Sequence, residues 1–134
     1  MSPRMILLAG SLVMLTGVAI GAFGAHGLEK MLERLGRTTS LAQRAEWLET
    51  GVRYQLVHGL GLLALASFAM REPSRLLSAA SVALLLGVLL FSGSLYAMTL
   101  GPATWKKLGM VVPVGGLAYL VGWGLLAVES WKRV

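Results

Sequence analysis

Four apolar runs, residues 5–25, 52–70, 76–100 and 108–128, take up nearly two-thirds of the 134-residue chain. Each can cross roughly 30 Å of hydrocarbon at about 1.5 Å of rise per residue. Apart from Arg53 at the mouth of the second run, no Lys, Arg, Asp or Glu falls inside them. Backbone N–H and C=O groups in lipid must be satisfied within the chain, which points to helices. The expected fold is an all-α membrane protein: a four-transmembrane-helix bundle in one domain over residues 1–134, with a short amphipathic helix between helices one and two.

Composition agrees. Hydrophobic residues make up 56% of the chain and charged ones 13%, against about a quarter charged in soluble proteins. A soluble domain of this size hides only about 60–70% of its extended surface from water, too little for a mean hydropathy of +0.73. The absence of Cys excludes a disulfide scaffold and Cys-ligated metal or iron–sulfur centres. No basic stripe with interleaved aromatics marks a nucleic-acid surface. The first run, preceded by Arg4, is long for a signal-peptide core and reads as a span. With four crossings, Lys and Arg divide five to seven between the two sides. The larger share falls on the 26–53 and 101–107 connections, which leans toward both termini outside.

Small residues carry helix association in lipid, where no hydrophobic drive exists between helices. Gly17 and Gly21 lie one turn apart, with Gly93, Gly115, Gly116 and Gly122 as further flat spots. They are expected to close the bundle, or to face outward and meet another subunit or a second copy. Pro113 either starts or kinks the fourth helix. Trp105, Trp123 and Trp131 read as interfacial aromatics.

In the 26–51 connection, Leu28, Met31, Leu32 and Leu35 form one helical stripe, ended by Gly36. Ser40 and Gln43 fit a capping box opening a helix that runs without a breaker from about residue 41 to 70. Its protruding first turns have an apolar side, Leu41, Ala45, Leu48 and Val52, which the 28–35 helix or a partner must cover.

Intramembrane polar side chains need an explanation. Tyr54, Gln55 and His58 share one face of helix two; His26 and Glu29 stand at the exit of helix one; Ser92, Ser94 and Tyr96 cluster on helix three. Topology brings these toward one end of the bundle. They can bond one another and anchor the connection. Alternatives are a haem with His26 and His58 as axial ligands, a metal on His26, Glu29 and His58, a proton-relay or quinone pocket around Tyr54 and His58, or a lipid head group. Catalytic sets are missing: the chain has no Asp and no Cys, and no HExxH or phosphate-binding loop. The chain is expected to be a non-catalytic accessory or assembly subunit. The alternative is a lipid- or quinone-binding or proton-conducting unit centred on His58.

Several segments together resemble one family. They are Gly21-Ala22-Phe23-Gly24-Ala25-His26-Gly27-Leu28, Trp47, and Thr50-Gly51-Val52-Arg53-Tyr54-Gln55-Leu56-Val57-His58. Next come Phe91-Ser92-Gly93-Ser94-Leu95-Tyr96 and Pro113-Val114-Gly115-Gly116 with Gly122-Trp123. In order along the whole chain they look like the domain-of-unknown-function 423 family, inner-membrane proteins of the YgdD type related to animal transmembrane protein 256. Val112 stands before Pro113 where the family pattern has Thr. The resemblance implies four spans in a bacterial plasma membrane, and assigns no activity. It points to His26, Trp47, Tyr54, Gln55, His58, Ser92, Ser94 and Tyr96.

Overall fold

A computed structural model describes residues 1–133, which are helix and short connections with no strand among them. The first helix, α1 (Pro3–His26), starts where Ser2 accepts a hydrogen bond from the Met5 N–H and Pro3 takes the first turn. The short helix α2 (Leu28–Arg34) buries Leu28 and Leu32 against Leu48 of α3 (Leu41–Arg71), while Met31 and Leu35 stay exposed. Of the expected apolar side of α3, α2 thus covers Leu41 and Leu48, while Ala45 stays exposed. Gly36 ends this segment at φ +65, with its N–H on the Glu33 carbonyl and the Arg37 N–H on Leu32. That is the paired bonding of a left-handed helix stop, and it favours glycine.

The capping box does not form. Ser40 lies at φ 59 and ψ 37 and its side chain makes no cap bond. A capping hydroxyl needs extended backbone to reach the third amide; left-handed backbone aims it elsewhere. The turn is held from the side, where Arg44 Nε donates to the Thr39 carbonyl at 3.4 Å.

The helix α3 then runs 31 residues without a break, antiparallel to α1. Gly10 meets Leu62 and Leu63, Gly17 meets Leu56, Gly21 meets Val52 and Gly24 meets Leu48. This constant register is set by the glycines of α1, each of which lets a side chain of α3 approach its backbone.

The third apolar run is not one α-helix. It comprises α4 (Arg75–Gly87), a π-helical turn at Val88–Ser92 in which the Gly93 N–H reaches Val88, and α5 (Gly93–Leu100). The widened turn places Phe91 and Ser92 against α3 and the last helix. Extended backbone at Gly101 and Pro102 stops α5, and a 3-10 turn (Ala103–Met110) leads into α6 (Val112–Trp131). Pro113 sits in the first turn of α6, so it starts the helix instead of kinking it. Gly87 of α4 lies against Tyr119 and Gly122 of α6 against Leu84, so these two also run antiparallel. The main apolar core joins Ile6 of α1, Leu62, Leu65 and Ala66 of α3, Leu77, Ala80 and Leu84 of α4, and Tyr119 of α6.

Three segments are long and apolar enough to cross a membrane: Pro3–His26, Arg75–Leu100 and Ala103–Trp131. The helix α3 is not among them. Its first turns hold Arg44, Glu46, Glu49 and Arg53, and its apolar half carries Gln55 and His58. It is also the helix that lies against α1, α4 and α5; Arg44, Gln55 and His58 face protein there, while Glu46, Glu49 and Arg53 are exposed.

Candidate functional site

Three of the four long segments converge on the polar arc of α3, at mid-height of α1. Gln55 is bonded on both sides. Its Nε2 donates to the Val13 carbonyl and to Thr16 Oγ1, each at 2.9 Å, and its Oε1 accepts from the Tyr96 hydroxyl at 2.7 Å. Thr16 donates to the Leu12 carbonyl at 2.8 Å, which leaves its oxygen lone pair for Gln55. Ser92 donates across to the Gly51 carbonyl at 2.7 Å, and Gly51 lets the Tyr96 ring lie on its backbone. One amide and three hydroxyls, those of Thr16, Ser92 and Tyr96, therefore stitch α1, α3 and the third segment together.

One turn further along α3 the cluster becomes aromatic. The His58 ring stacks on Tyr119 of α6 with centroids 3.4 Å apart and planes 13° apart. Tyr54 stacks on Phe91 at 4.3 Å, and Trp123 lies 6.0 Å from His58. His58 Nδ1 is 2.7 Å from the Tyr54 carbonyl oxygen. A carbonyl only accepts, so Nδ1 carries the proton and Nε2 of the neutral ring is an acceptor. Tyr119 is 3% exposed, and its hydroxyl has no hydrogen-bond partner among the described residues.

The depth of this cluster differs from the expected rim position. Gln55 bonds at Val13 and Thr16, and Gly59, next to His58, meets Met14. The antiparallel register, and not the start of the apolar run, sets that level. His26 and Glu29 are exposed at the far end of α1 beside α2. Met14 precedes His26 by twelve residues, about 18 Å of helix. Two imidazoles on one ion need nitrogens about 2 Å from it, so His26 and His58 do not share a haem iron or a metal in this fold. No group of three or more His, Asp or Glu that could hold a metal exists among the described residues. Ser94 is buried but makes no side-chain hydrogen bond across helices among them. Trp47 is half-buried on the outer part of α3, with Lys106 Nζ 5.9 Å from its ring centroid.

The expected packing glycines divide in two. At Gly17, Gly21, Gly115 and Gly122 a side chain would meet a neighbouring helix; at Gly93 and Gly116 it would meet nothing. Trp123 belongs to the interior of α6, over Gly61, and is not a rim residue.

Sequence reading passed over four residues. Tyr119 was detectable as the one tyrosine inside the fourth run. Thr16 was detectable as one of few hydroxyls in the first. Arg44 and Thr99 were not, because their partners lie 54–57 residues away: Arg44 Nη1 donates to the carbonyls of Met98, Thr99 and Gly101, and Thr99 Oγ1 donates to the Arg44 carbonyl.

Gln55→Leu is expected to cost about 2 kcal/mol in denaturant unfolding of the detergent-solubilised protein. Membrane interhelical hydrogen bonds average about 0.6 kcal/mol each, reaching about 1.7, and this change breaks three while stranding the Tyr96 hydroxyl.

Apolar helices of spanning length around an internal polar clasp define a small multi-helix integral membrane protein. The chain belongs to the family described as "Protein of unknown function (DUF423)", whose model matches residues 20–116. It is similar to the UPF0382 inner membrane protein YgdD of Escherichia coli K12, at 39% identity over 97% of this chain and 92% of the relative. A UPF0382 membrane protein of Haemophilus influenzae is 38% identical over 91% and 92%. One from Staphylococcus haemolyticus is 37% identical over 98% of each. No solved structure matches. The protein is an integral membrane protein of the inner membrane.

Proposed function

We propose that the chain is a non-catalytic, four-crossing bundle that works through its outer faces, as an accessory or assembly subunit of a larger membrane complex or as a homo-oligomer. The observation that carries this reading is the inward direction of its polar chemistry. Gln55, Ser92 and Tyr96 spend their hydrogen bonds holding helices together. Outside remain apolar side chains such as Leu12, Leu15, Leu117 and Leu120, and the open glycines Gly93 and Gly116. The fourth crossing is α3. It accompanies α1 in constant register from Gly24 to Gly10, so a bilayer that covers α1 covers that part of α3 too. Its Gln55 and His58 are buried in the bundle, where intramembrane polar groups belong.

Native mass spectrometry of the protein extracted from its own membrane in mild detergent tests the reading. The expected result is a mass above the bare chain by another polypeptide or by whole copies. A bare monomer that also fails to crosslink in intact membranes would overturn it. With four crossings and seven of twelve Lys and Arg on the 26–53 and 101–107 side, both termini lie outside. A carboxy-terminal alkaline phosphatase fusion is expected to be active; an inactive one, with an active cytoplasmic reporter at the same place, reverses the orientation.

A second reading rests on one specific observation, the unbonded Tyr119 hydroxyl beside the His58 stack. A quinone or lipid carbonyl, or a relayed proton, would use that hydroxyl and the Nε2 lone pair. A co-purifying mass of a few hundred daltons, lost in His58→Phe, would support it. Unchanged ligand content and proton flux in that variant would remove it.

A further inference from the structure

At the end of α5 the chain turns through Gly101 and Pro102 into the 3-10 segment, and Arg37 closes over this corner from the α2–α3 connection. An open groove of about 490 Å³ lies here, walled by Tyr96, Ala97, Leu100, Pro102 and Trp105 together with Arg37. Arg37 Nε is shielded from solvent without a hydrogen-bond partner, and its guanidinium enters no ion pair among the described residues. A desolvated donor on a cation is costly until it meets an acceptor. A guanidinium fork suits the oxygens of a phosphate. No acidic residue lines the groove, and Lys106 and Lys107 follow Trp105 on the same exposed turn.

The other walls say what carries the phosphate. Ala97 and Leu100 end the apolar segment Arg75–Leu100, so the groove opens onto a surface of membrane-spanning helix. Half-exposed Trp105 stands beside it, as aromatic residues do at the level of lipid head groups. We infer that this groove binds one anionic phospholipid, its phosphate on Arg37 and its acyl chain along Ala97 and Leu100. The site shares Tyr96 with the Gln55 clasp but does not include His58 or the open glycines. Its failure would leave the subunit reading untouched.

The test uses the whole protein in nanodiscs of equal phosphatidylglycerol and phosphatidylcholine, released into the mass spectrometer. Both lipids carry the phosphate, but the choline cation of phosphatidylcholine neutralises it. The wild type is expected to keep phosphatidylglycerol about tenfold over phosphatidylcholine, the scale of about 1 kcal/mol per basic residue facing an anionic lipid. Arg37→Gln is expected to lose that preference and Lys107→Gln to keep most of it. Equal retention of both lipids by the wild type, or an undiminished preference in Arg37→Gln, overturns the proposal. Inorganic phosphate binding to the delipidated protein with the same Arg37 dependence also overturns it, in favour of a free-anion site. A readout that does not depend on the variant's folding is quenching of Trp105 in the wild type by lipids brominated on the acyl chain. Phosphatidylglycerol is expected to quench the fluorescence that Trp105→Phe removes more strongly than phosphatidylcholine does, and equal quenching counts against the site.

Discussion

Gly115→Ala is expected to unfold the protein or cost it about 3 kcal/mol, while Gly116→Ala, one residue on, is expected to be neutral within about 0.5 kcal/mol. A methyl group at 115 would lie 2.8 Å from both Cα and Cβ of Phe91, and closer still to its backbone nitrogen. Backbone cannot step aside as a flexible side chain can, so α6 must move off the π-helical turn. Overpacking of that kind costs about 1–3 kcal/mol, and the upper end applies where backbone is the obstacle. At 116 the same methyl meets nothing, and its small gain in helix propensity offsets any loss. Denaturant unfolding in detergent, followed by tryptophan fluorescence, compares the two. The pair also separates folding from association. Gly116→Leu should leave the monomer's unfolding unchanged and still lose the partner mass or the oligomer, because it alters only a surface that the chain itself leaves open.

Much of the architecture was readable because hydropathy and breakers act locally. The uncharged runs, the uninterrupted helix from Leu41, and the stop at Gly36 each follow from residues close together in the chain. So does the grouping of Tyr54, Gln55 and His58 on one helix face. What escaped reading depends on register between helices. Hydropathy places the start of the second run at residue 52, near one membrane surface. Gly10, Gly17, Gly21 and Gly24 instead slide α3 along α1 until Gln55 stands level with Val13 and Thr16. Fixing that register from sequence would require knowing which side chain fills which glycine. The same reason hid Tyr119, whose significance lies in the His58 ring stacked on it. Ser40 failed as a cap because its backbone geometry belongs to a turn that Arg44 holds from outside the motif.

Arg44→Met is expected to cost about 3 kcal/mol, an effect as large as that of Gly115→Ala, at a residue with no acidic partner. Arg44 is 3% exposed. Its guanidinium donates to Met98 O at 3.1 Å and Thr99 O at 2.5 Å, carbonyls of the last turn of α5, and to Gly101 O at 3.0 Å just beyond it. Those carbonyls carry the negative end of the helix dipole, so they act as the counter-charge that a buried arginine needs. Methionine fills a similar volume and donates nothing, which leaves buried acceptors unmet; hydrogen bonds to a charged group are worth about 1.5–3 kcal/mol. Arg44→Lys should recover more than half, because the three carbonyls are all met by the single nitrogen Nη1, whose place an ammonium takes; only the Nε bond to Thr39 is lost. The Thr99 hydroxyl returns a bond to the Arg44 carbonyl at 3.2 Å, so the two residues fasten α3 and α5 from both sides. Thr99→Val combined with Arg44→Met should therefore cost less than the two added separately, by about 1 kcal/mol. Limited proteolysis offers a local reading of the same event. With Arg44 gone, the corner at Gly101 and Pro102 should be cleaved well before the rest of the bundle opens. Unchanged cleavage there with lowered overall stability would mean that the arginine holds α3 alone and not the end of α5.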